Sequence, residues 1–217
     1  MFDAYIFDLD GTLLNTLPDL VNLTNMVLRE YGAPEHTSDE INSYVGSGAR
    51  VLLQRAFPDG TSDAVIDEAL VRWKGLYPEH GHKYTKPYSG MHEVLAELKG
   101  RGAKLGVLSN KFDAAARDVI GNQFPSVFDI VRGECAQIPR KPNPAGLLWM
   151  MEQLGVSPER TAYVGDSGGD MTVALSAGAY AVGVTWGYRP AADLQRAGAR
   201  QLVDTPEELL AITAEKR

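Results

Sequence analysis

Two aspartates separated by one residue follow the first apolar run of this sequence, in the stretch Phe7-Asp8-Leu9-Asp10-Gly11-Thr12. The apolar residues 4–7 predict a short buried strand whose carboxyl end delivers both carboxylates to a loop. Ligands of open α/β sheets bind at that edge. Because residues i and i+2 of a strand share a face, Asp8 and Asp10 point into one pocket, where their repulsion requires a cation or a shared proton. The pattern favours a metal-assisted phosphoryl-transfer site over an acidic turn that caps a helix.

Polar side chains follow two further apolar runs and occupy one loop. Ser109 and Asn110 come directly after the apolar run 105–108, and Asp166 and Asp170 follow the apolar run 162–164. Between them, Lys141 precedes two prolines in a short, stiff loop. Three predicted strand ends and one loop therefore carry, in order, a carboxylate pair, a hydroxyl group, a lysine and a second carboxylate pair.

The sequence after residue 84 alternates between helical and strand patterns. The predicted helices are 92–99, 113–120, 144–154 and 170–177, and the predicted strands are 104–108, 128–131, 162–164 and 180–184. Strands that alternate with helices across glycine turns predict an α/β fold with a doubly wound, Rossmann-like parallel sheet. The sheet also needs the strand at residues 4–7, so the predicted core domain combines residues 1–14 and 84–217.

Residues 15–83 carry no strand signal. Leu20, Leu23, Val27 and Leu28 recur at helical spacing behind Pro18, and the patterns over 50–57 and 64–76 are also helical. We therefore predict an all-helical cap domain over residues 15–83, inserted between the first strand and the rest of the core, with hinges near 15–16 and 83–87.

Composition limits the class of protein. The chain has 217 residues, 44% of them hydrophobic and 23% charged, and a formal net charge of −7. Without a basic stripe, nucleic acid is not expected as a partner. No apolar run approaches the ~20 residues of a membrane span. The lone Cys135 suits a reducing compartment, and the first strand leaves no room for a signal peptide. We expect a cytoplasmic protein, either a monomer or a homodimer.

The charges of the motifs predict a mechanism and a cofactor. Asp8 is the expected nucleophile, which forms an aspartyl-phosphate, and Asp10 is the expected general acid and base. Asp8, Asp10, Asp166 and Asp170 bring four negative charges against one positive charge from Lys141, so Mg²⁺ is expected. Asp8 and Asp166 are the first-choice ligands, while Asp170 either joins them or holds a bound water or Lys141.

The transferring phosphate needs hydrogen-bond donors as well. We expect the Ser109 hydroxyl and the Asn110 backbone N–H to hold it at a helix N-terminus, with a plain helix cap as the alternative for Ser109. Lys141 is expected to be a catalytic residue that supplies positive charge to the site, rather than a solvated charge beside Arg140, because two prolines follow it in a short, stiff loop.

The four motifs together resemble the haloacid dehalogenase superfamily of phosphotransferases. The stretches 87–91 and 184–188 extend the resemblance to the phosphoglycolate phosphatase branch, along nearly the whole chain. The resemblance implies a small phosphorylated substrate, phosphoglycolate first, and a backbone carbonyl of Asp10 directed at the metal. One departure is Gly169, where phosphatases of this branch usually have asparagine; it leaves the partner of Asp170 open.

The cap contains one candidate substrate-binding loop. The stretch 44–50, with Gly46, Gly48 and Arg50, resembles the glycine-rich cap loop of the phosphoglycolate phosphatase branch. Its backbone N–H groups and Arg50 are predicted to bind a substrate carboxylate. The alternative is an ordinary turn that caps a helix beside a surface arginine.

Other functions remain as alternatives. A phosphomutase of the β-phosphoglucomutase type resembles this pattern but tends to carry an acidic residue where this chain has Gly165, which favours hydrolysis. Pyrophosphate hydrolysis is compatible with every motif. A haloacid dehalogenase is disfavoured, because its reaction needs neither Asp10 nor a metal. A phospho-receiver domain is also disfavoured, because it has no cap and no base two residues after its nucleophile.

Overall fold

The computed structural model describes residues 1–214, which form two compact units. One unit combines Met1–Leu14 with the chain from Pro87 onward, and the other is Asn15–Lys86. In chain order the elements are β1 (Ala4–Phe7), β2 (Leu14–Asn15), α1 (Leu17–Glu30), α2 (Ser38–Tyr44), α3 (Ala49–Ala56), α4 (Asp63–His80), β3 (Lys86–Pro87), α5 (Met91–Gly100), β4 (Lys104–Phe112), α6 (Asp113–Gln123), β5 (Ile130–Glu134), α7 (Ala145–Leu154), β6 (Thr161–Gly165), α8 (Gly168–Ser176), β7 (Tyr180–Val184), α9 (Ala191–Arg196) and β8 (Gln201–Val203).

The first unit is built on a six-stranded sheet in the order β5-β4-β1-β6-β7-β8. Every neighbouring pair is parallel, which confirms the predicted doubly wound α/β core. Strand β1 lies in the middle, with Phe7 opposite Val107 of β4 and Val164 of β6. This register brings the carboxyl ends of β1 and β6 to one edge of the sheet, beside the polar part of β4.

Helices cover both faces of the sheet. Tyr5 and Phe7 of β1 pack into a buried cluster with α5 and α6, whereas Ile6 packs on the opposite face with α7 and α8. Because both faces are buried, the strand reads as a continuous apolar run rather than an alternating one. Strand β8 and helix α9 were not anticipated, since both are short and only partly buried.

The second unit, Asn15–Lys86, contains the four helices α1–α4. Helix α2 lies outside the predicted helices, although Thr37 and Glu40 form a capping box at its start that marks a helix N-terminus in sequence. The unit extends to Lys86 rather than ending at residue 83. The reason is Asp19 of α1, which is fully buried and accepts hydrogen bonds from the backbone N–H groups of Tyr84 and Thr85.

Candidate active site

Three carboxylates meet beside β1 in the first unit. Asp8 follows β1, Asp166 follows β6, and Asp170 lies in the first turn of α8. One carboxylate oxygen of each lies within 4.8 Å of the others. Gly11, with φ +82°, makes the approach possible, because a Cβ atom there would lie 2.3 Å from Asp166 Oδ2. The motifs that follow β1 and β6 thus converge on one acidic cluster.

Lys141 joins this cluster from the loop before α7. Its ammonium group contacts Asp8 Oδ1 at 2.8 Å and Asp170 Oδ1 at 2.7 Å, and it donates to the Tyr163 hydroxyl at 2.9 Å. Three contacts match the three donors of an ammonium group. Burial alone would lower the pKa of Lys141, but Asp170 and Asp8 raise it well above its ordinary value. Lys141 is therefore a permanent positive charge inside the site.

The electrostatics of Asp8 and Asp166 reflect crowding by negative charge. Burial raises the pKa of Asp8 to about 6, opposed by Lys141 and reinforced by Asp170. Burial also raises the pKa of Asp166 to about 8, with Asp170 and Asp8 adding to the effect. The Tyr188 backbone N–H, at 2.7 Å, and the Thr12 hydroxyl, at 3.2 Å, donate to Asp166 and offset only part of it. Both carboxylates need further positive charge to be ionised together.

Asp170 differs from the other two carboxylates in its hydrogen bonding. Its Oδ2 accepts from the Ser167 backbone N–H at 3.0 Å and from the Ser167 hydroxyl at 2.6 Å. Its Oδ1 accepts from Lys141 and lies 3.3 Å from the Tyr163 hydroxyl. The partner of Asp170 left open by Gly169 is thus Ser167 on one side and Lys141 on the other. Residue 169 lies within α8, so glycine there does not form a loose loop.

Ser109 and Asn110 lie in β4, and the expected helix N-terminus around them is wrong. Strand β4 runs on to Phe112 with an irregular register after Leu108, and α6 begins only at Asp113. The dipole of α6 therefore does not act directly at Ser109. The Asn110 side chain instead binds the backbone of Lys141, since its Oδ1 accepts from the N–H at 2.8 Å and its Nδ2 donates to the carbonyl at 3.1 Å.

Lys111 is the residue that the sequence analysis missed. Its ammonium group lies 2.9 Å from Asp10 Oδ1, and its side chain is 3% exposed. Its backbone N–H donates to the Ser109 hydroxyl at 3.2 Å. The count of one positive charge at the site is therefore wrong, because two buried lysines face four aspartates. The available signal was its position two residues after Ser109, beside a motif that follows an apolar run.

The predicted cap residues lie in the second unit. Gly48 is the N-cap of α3 with φ +84°, and Gly46 has φ +115°. Arg50, two residues into α3, forms ion pairs with Asp63 at 2.8 Å and Asp67 at 2.7 Å. Their predicted role in substrate binding stays a prediction.

The aromatic residues after β7 pack against the motif loops. The Trp186 indole N–H donates to the Thr12 carbonyl at 3.0 Å, and the Tyr88 ring lies 6.2 Å from the Trp186 ring. Burial, followed by the charges of Asp166 and Asp10, raises the pKa of Tyr88.

Within residues 1–214, no helix is both long and apolar enough to cross a bilayer.

Comparison with known proteins identifies the family of the chain. Residues 5–184 match the model of the haloacid dehalogenase-like hydrolases. The chain is 31% identical to the phosphoglycolate phosphatase of Pseudomonas putida over 211 residues, which is 94% of this chain and 77% of that protein. It is also 31% identical to the phosphoglycolate phosphatase of Colwellia psychrerythraea over 218 residues, 96% of this chain and 95% of that one.

A solved structure shares the fold along its whole length. It is a candidate phosphoglycolate phosphatase from Lactobacillus delbrueckii subsp. bulgaricus, with a TM-score of 0.91, 31% identity and 99% of both chains covered. With the family model matching most of the chain and the acidic cluster in place, this chain belongs to the haloacid dehalogenase-like hydrolases and is a phosphatase similar to the phosphoglycolate phosphatases.

Proposed function

We propose that this phosphatase hydrolyses a small phosphomonoester, phosphoglycolate first, through an aspartyl-phosphate on Asp8 and with Mg²⁺ as its cofactor. The observation that carries the proposal is the buried cluster of Asp8, Asp166 and Asp170 around Lys141. The choice of phosphoglycolate as the substrate is supported by the similarity of the chain to the phosphoglycolate phosphatases of Pseudomonas putida and Colwellia psychrerythraea.

The donor set suits Mg²⁺. Asp8, Asp10, Asp166 and Asp170 bring up to four negative charges, Lys111 and Lys141 two positive ones, and a phosphate monoester adds nearly two more negative charges. A divalent ion that prefers oxygen ligands balances this excess, and the raised pKa values of Asp8 and Asp166 support the need for it. When bound, the ion would neutralise charge on the phosphoryl oxygens.

Asp8 and Asp166 would hold the ion, together with the backbone carbonyl of Asp10. Asp170 serves a different purpose, because both acceptor positions of its Oδ2 are taken by Ser167 and its Oδ1 accepts from Lys141. We assign Asp170 to the positioning of Lys141, although its distance to the other carboxylates would also allow a ligand role.

The reaction proceeds in two displacements. An Asp8 carboxylate oxygen attacks phosphorus, the bond from phosphorus to the ester oxygen breaks, and Asp10 gives its proton to the leaving alkoxide. A water then attacks the same phosphorus, Asp10 takes its proton, and the bond from phosphorus to the Asp8 oxygen breaks to release phosphate. Lys141 and Ser109 bind the phosphoryl oxygens meanwhile.

The close approach of Gly165 to Asp170 favours hydrolysis over the mutase alternative. A Cβ atom on Gly165 would lie 2.4 Å from the Asp170 Cγ atom. An acidic side chain at residue 165, as the mutases tend to have, would therefore displace Asp170 from Lys141. Pyrophosphate hydrolysis remains the second candidate, because pyrophosphate presents the same phosphoryl group to the same residues.

Turnover of a panel of phosphate esters and pyrophosphate, with Mg²⁺ or EDTA, tests the proposal. We expect phosphoglycolate to be the best substrate, EDTA to abolish turnover and Mg²⁺ to restore it. Asp8→Asn should be inactive. Asp10→Asn should lose roughly 10²–10⁴-fold in rate and should accumulate phosphate on Asp8, detectable by mass spectrometry. Full activity in EDTA, or phosphate on another residue, would refute the mechanism.

A further inference from the structure

Lys111 is a buried cation that the proposed reaction does not otherwise use. It lies in β4, it is almost completely buried, and its ammonium group contacts Asp10 Oδ1 at 2.9 Å. Lysine is rarely buried unless it is paired, and the Asp10 carboxylate supplies the pair.

The two lysines of the site contact different aspartates. Lys141 binds Asp8, the nucleophile, and Asp170. Lys111 binds Asp10, the residue that gives its proton to the leaving oxygen. In phosphoryl transfer the nucleophile and the leaving oxygen lie roughly in line on opposite sides of phosphorus. A group bound to Asp10 is therefore close to the leaving alcohol, whereas Lys141 is close to the attacking oxygen.

We infer that Lys111 is a specificity-determining residue, whose ammonium group attracts an anionic substituent on the leaving alcohol. The inference rests on the proposed function, because it takes Asp10 as the proton donor. In phosphoglycolate the carboxylate carbon is two bonds from the leaving oxygen, so a cation beside Asp10 is near enough to act on it. The attraction does not require an unused N–H, because an ammonium group also acts through its charge; the Asp10 carboxylate offsets part of that charge, and burial limits screening by water.

A competing account makes Lys111 only a holder of Asp10. In that case Lys111 orients the acid for every substrate equally, and its removal lowers kcat for neutral and anionic leaving groups alike. A second competitor is Arg50, which carries the predicted carboxylate contact but is paired with Asp63 and Asp67. The three accounts differ in which substitution causes a loss that depends on the substrate.

The experiment compares phosphoglycolate with 2-hydroxyethyl phosphate, which replaces the carboxylate with a neutral hydroxymethyl group. Lys111→Met, Lys111→Arg and Arg50→Ala are assayed in the full chain with Mg²⁺. Lys104→Met, an exposed lysine at the start of the same strand, is the control. We expect Lys111→Met to lower kcat/KM for phosphoglycolate roughly ten- to a hundred-fold more than for the neutral ester, mainly through KM. Lys111→Arg should retain most of the preference, and Lys104→Met should change neither substrate.

Binding gives a second readout that does not depend on turnover. In an Asp8→Asn background, calorimetry should show that Lys111→Met weakens phosphoglycolate binding and leaves 2-hydroxyethyl phosphate binding nearly unchanged. Circular dichroism establishes that each variant is folded, and Lys111→Arg keeps the test open if Lys111→Met is not.

Two outcomes would overturn the inference. Equal losses on both substrates would make Lys111 a positioning residue for Asp10, and a selective loss only in Arg50→Ala would assign the carboxylate to Arg50. A wild-type chain that hydrolyses neither ester would instead refute the proposed function itself, which keeps the two failures apart.

Discussion

Asp170→Asn would show whether the buried Asp170 carboxylate positions Lys141 or binds the metal ion. The carboxylate of Asp170 accepts from Lys141 on Oδ1 and from Ser167 on Oδ2. An amide has one acceptor end and one donor end, so Asp170→Asn can satisfy only one side. Whichever way the amide turns, an N–H group faces either the Lys141 ammonium group or the Ser167 donors.

The size of the effect follows from the contact that is lost. A hydrogen bond to a charged group contributes about 1.5–3 kcal/mol, and each ~1.4 kcal/mol of lost transition-state stabilisation lowers the rate tenfold. We therefore expect kcat of Asp170→Asn to fall roughly ten- to a hundred-fold at saturating Mg²⁺. Tyr163→Phe removes an uncharged hydroxyl that accepts from the same ammonium group at 2.9 Å; because no opposite charge is lost, it should cost about tenfold or less.

The assay is steady-state hydrolysis with Mg²⁺ titrated for wild type, Asp170→Asn and Asp166→Asn. If Asp170 positions Lys141, its variant loses kcat that added Mg²⁺ does not restore. Asp166→Asn, by contrast, should raise the Mg²⁺ concentration needed for half-maximal activity far more. The assignment fails if Asp170→Asn recovers wild-type kcat at high Mg²⁺, because Asp170 would then be a ligand of the ion.

Two further predictions concern the stability of the protein. Burial and neighbouring aspartates raise the pKa of Asp166 to about 8 in the metal-free protein, so the folded state holds a proton that the unfolded chain releases above about pH 4. The free energy of unfolding in EDTA should therefore fall as pH rises from about 4 to 8, by at most about 1.4 kcal/mol per pH unit. The fall should be smaller in Asp166→Asn. A steeper fall in that variant would contradict the assignment of the raised pKa to Asp166. Asp19→Ala leaves the buried backbone N–H group of Thr85 and the partly buried one of Tyr84 without their acceptor, and it should cost about 2–5 kcal/mol of unfolding free energy by urea denaturation. A change below about 0.5 kcal/mol would show that Asp19 does not hold this segment.

The sheet could be predicted from the sequence because its central strands are buried on both faces. Residues 4–7, 105–108 and 162–164 are apolar without interruption, and each is followed by polar residues at the edge where ligands bind. Strand β8 and helix α2 were not predicted, because each is short and its apolar residues form no clear period. Short elements with one or two buried residues carry too few positions for a period to emerge.

The site was predictable where a motif sits at the end of a strand and less so where a strand continues past its apolar part. Asp8 and Asp166 follow apolar runs and Lys141 lies in a stiff loop; in the structure Lys141 contacts Asp8, and Asp166 has a carboxylate oxygen within 4.8 Å of one of Asp8. Ser109 also follows an apolar run, which suggested that β4 stops there and a helix begins. A strand can instead carry polar residues onward when they face a polar site, and β4 does so through Phe112.

The continuation of β4 changes the electrostatics as well as the geometry. With a helix start at Ser109, Lys111 would lie in the first turn, on a different face from Ser109. In the structure, β4 continues past Ser109, and the Lys111 side chain reaches Asp10, which follows the neighbouring strand β1. One error in a local boundary therefore removed a buried positive charge from the count. The corrected count still leaves an excess of negative charge, because two lysines cannot balance four carboxylates and a phosphate, but it places one cation beside Asp10.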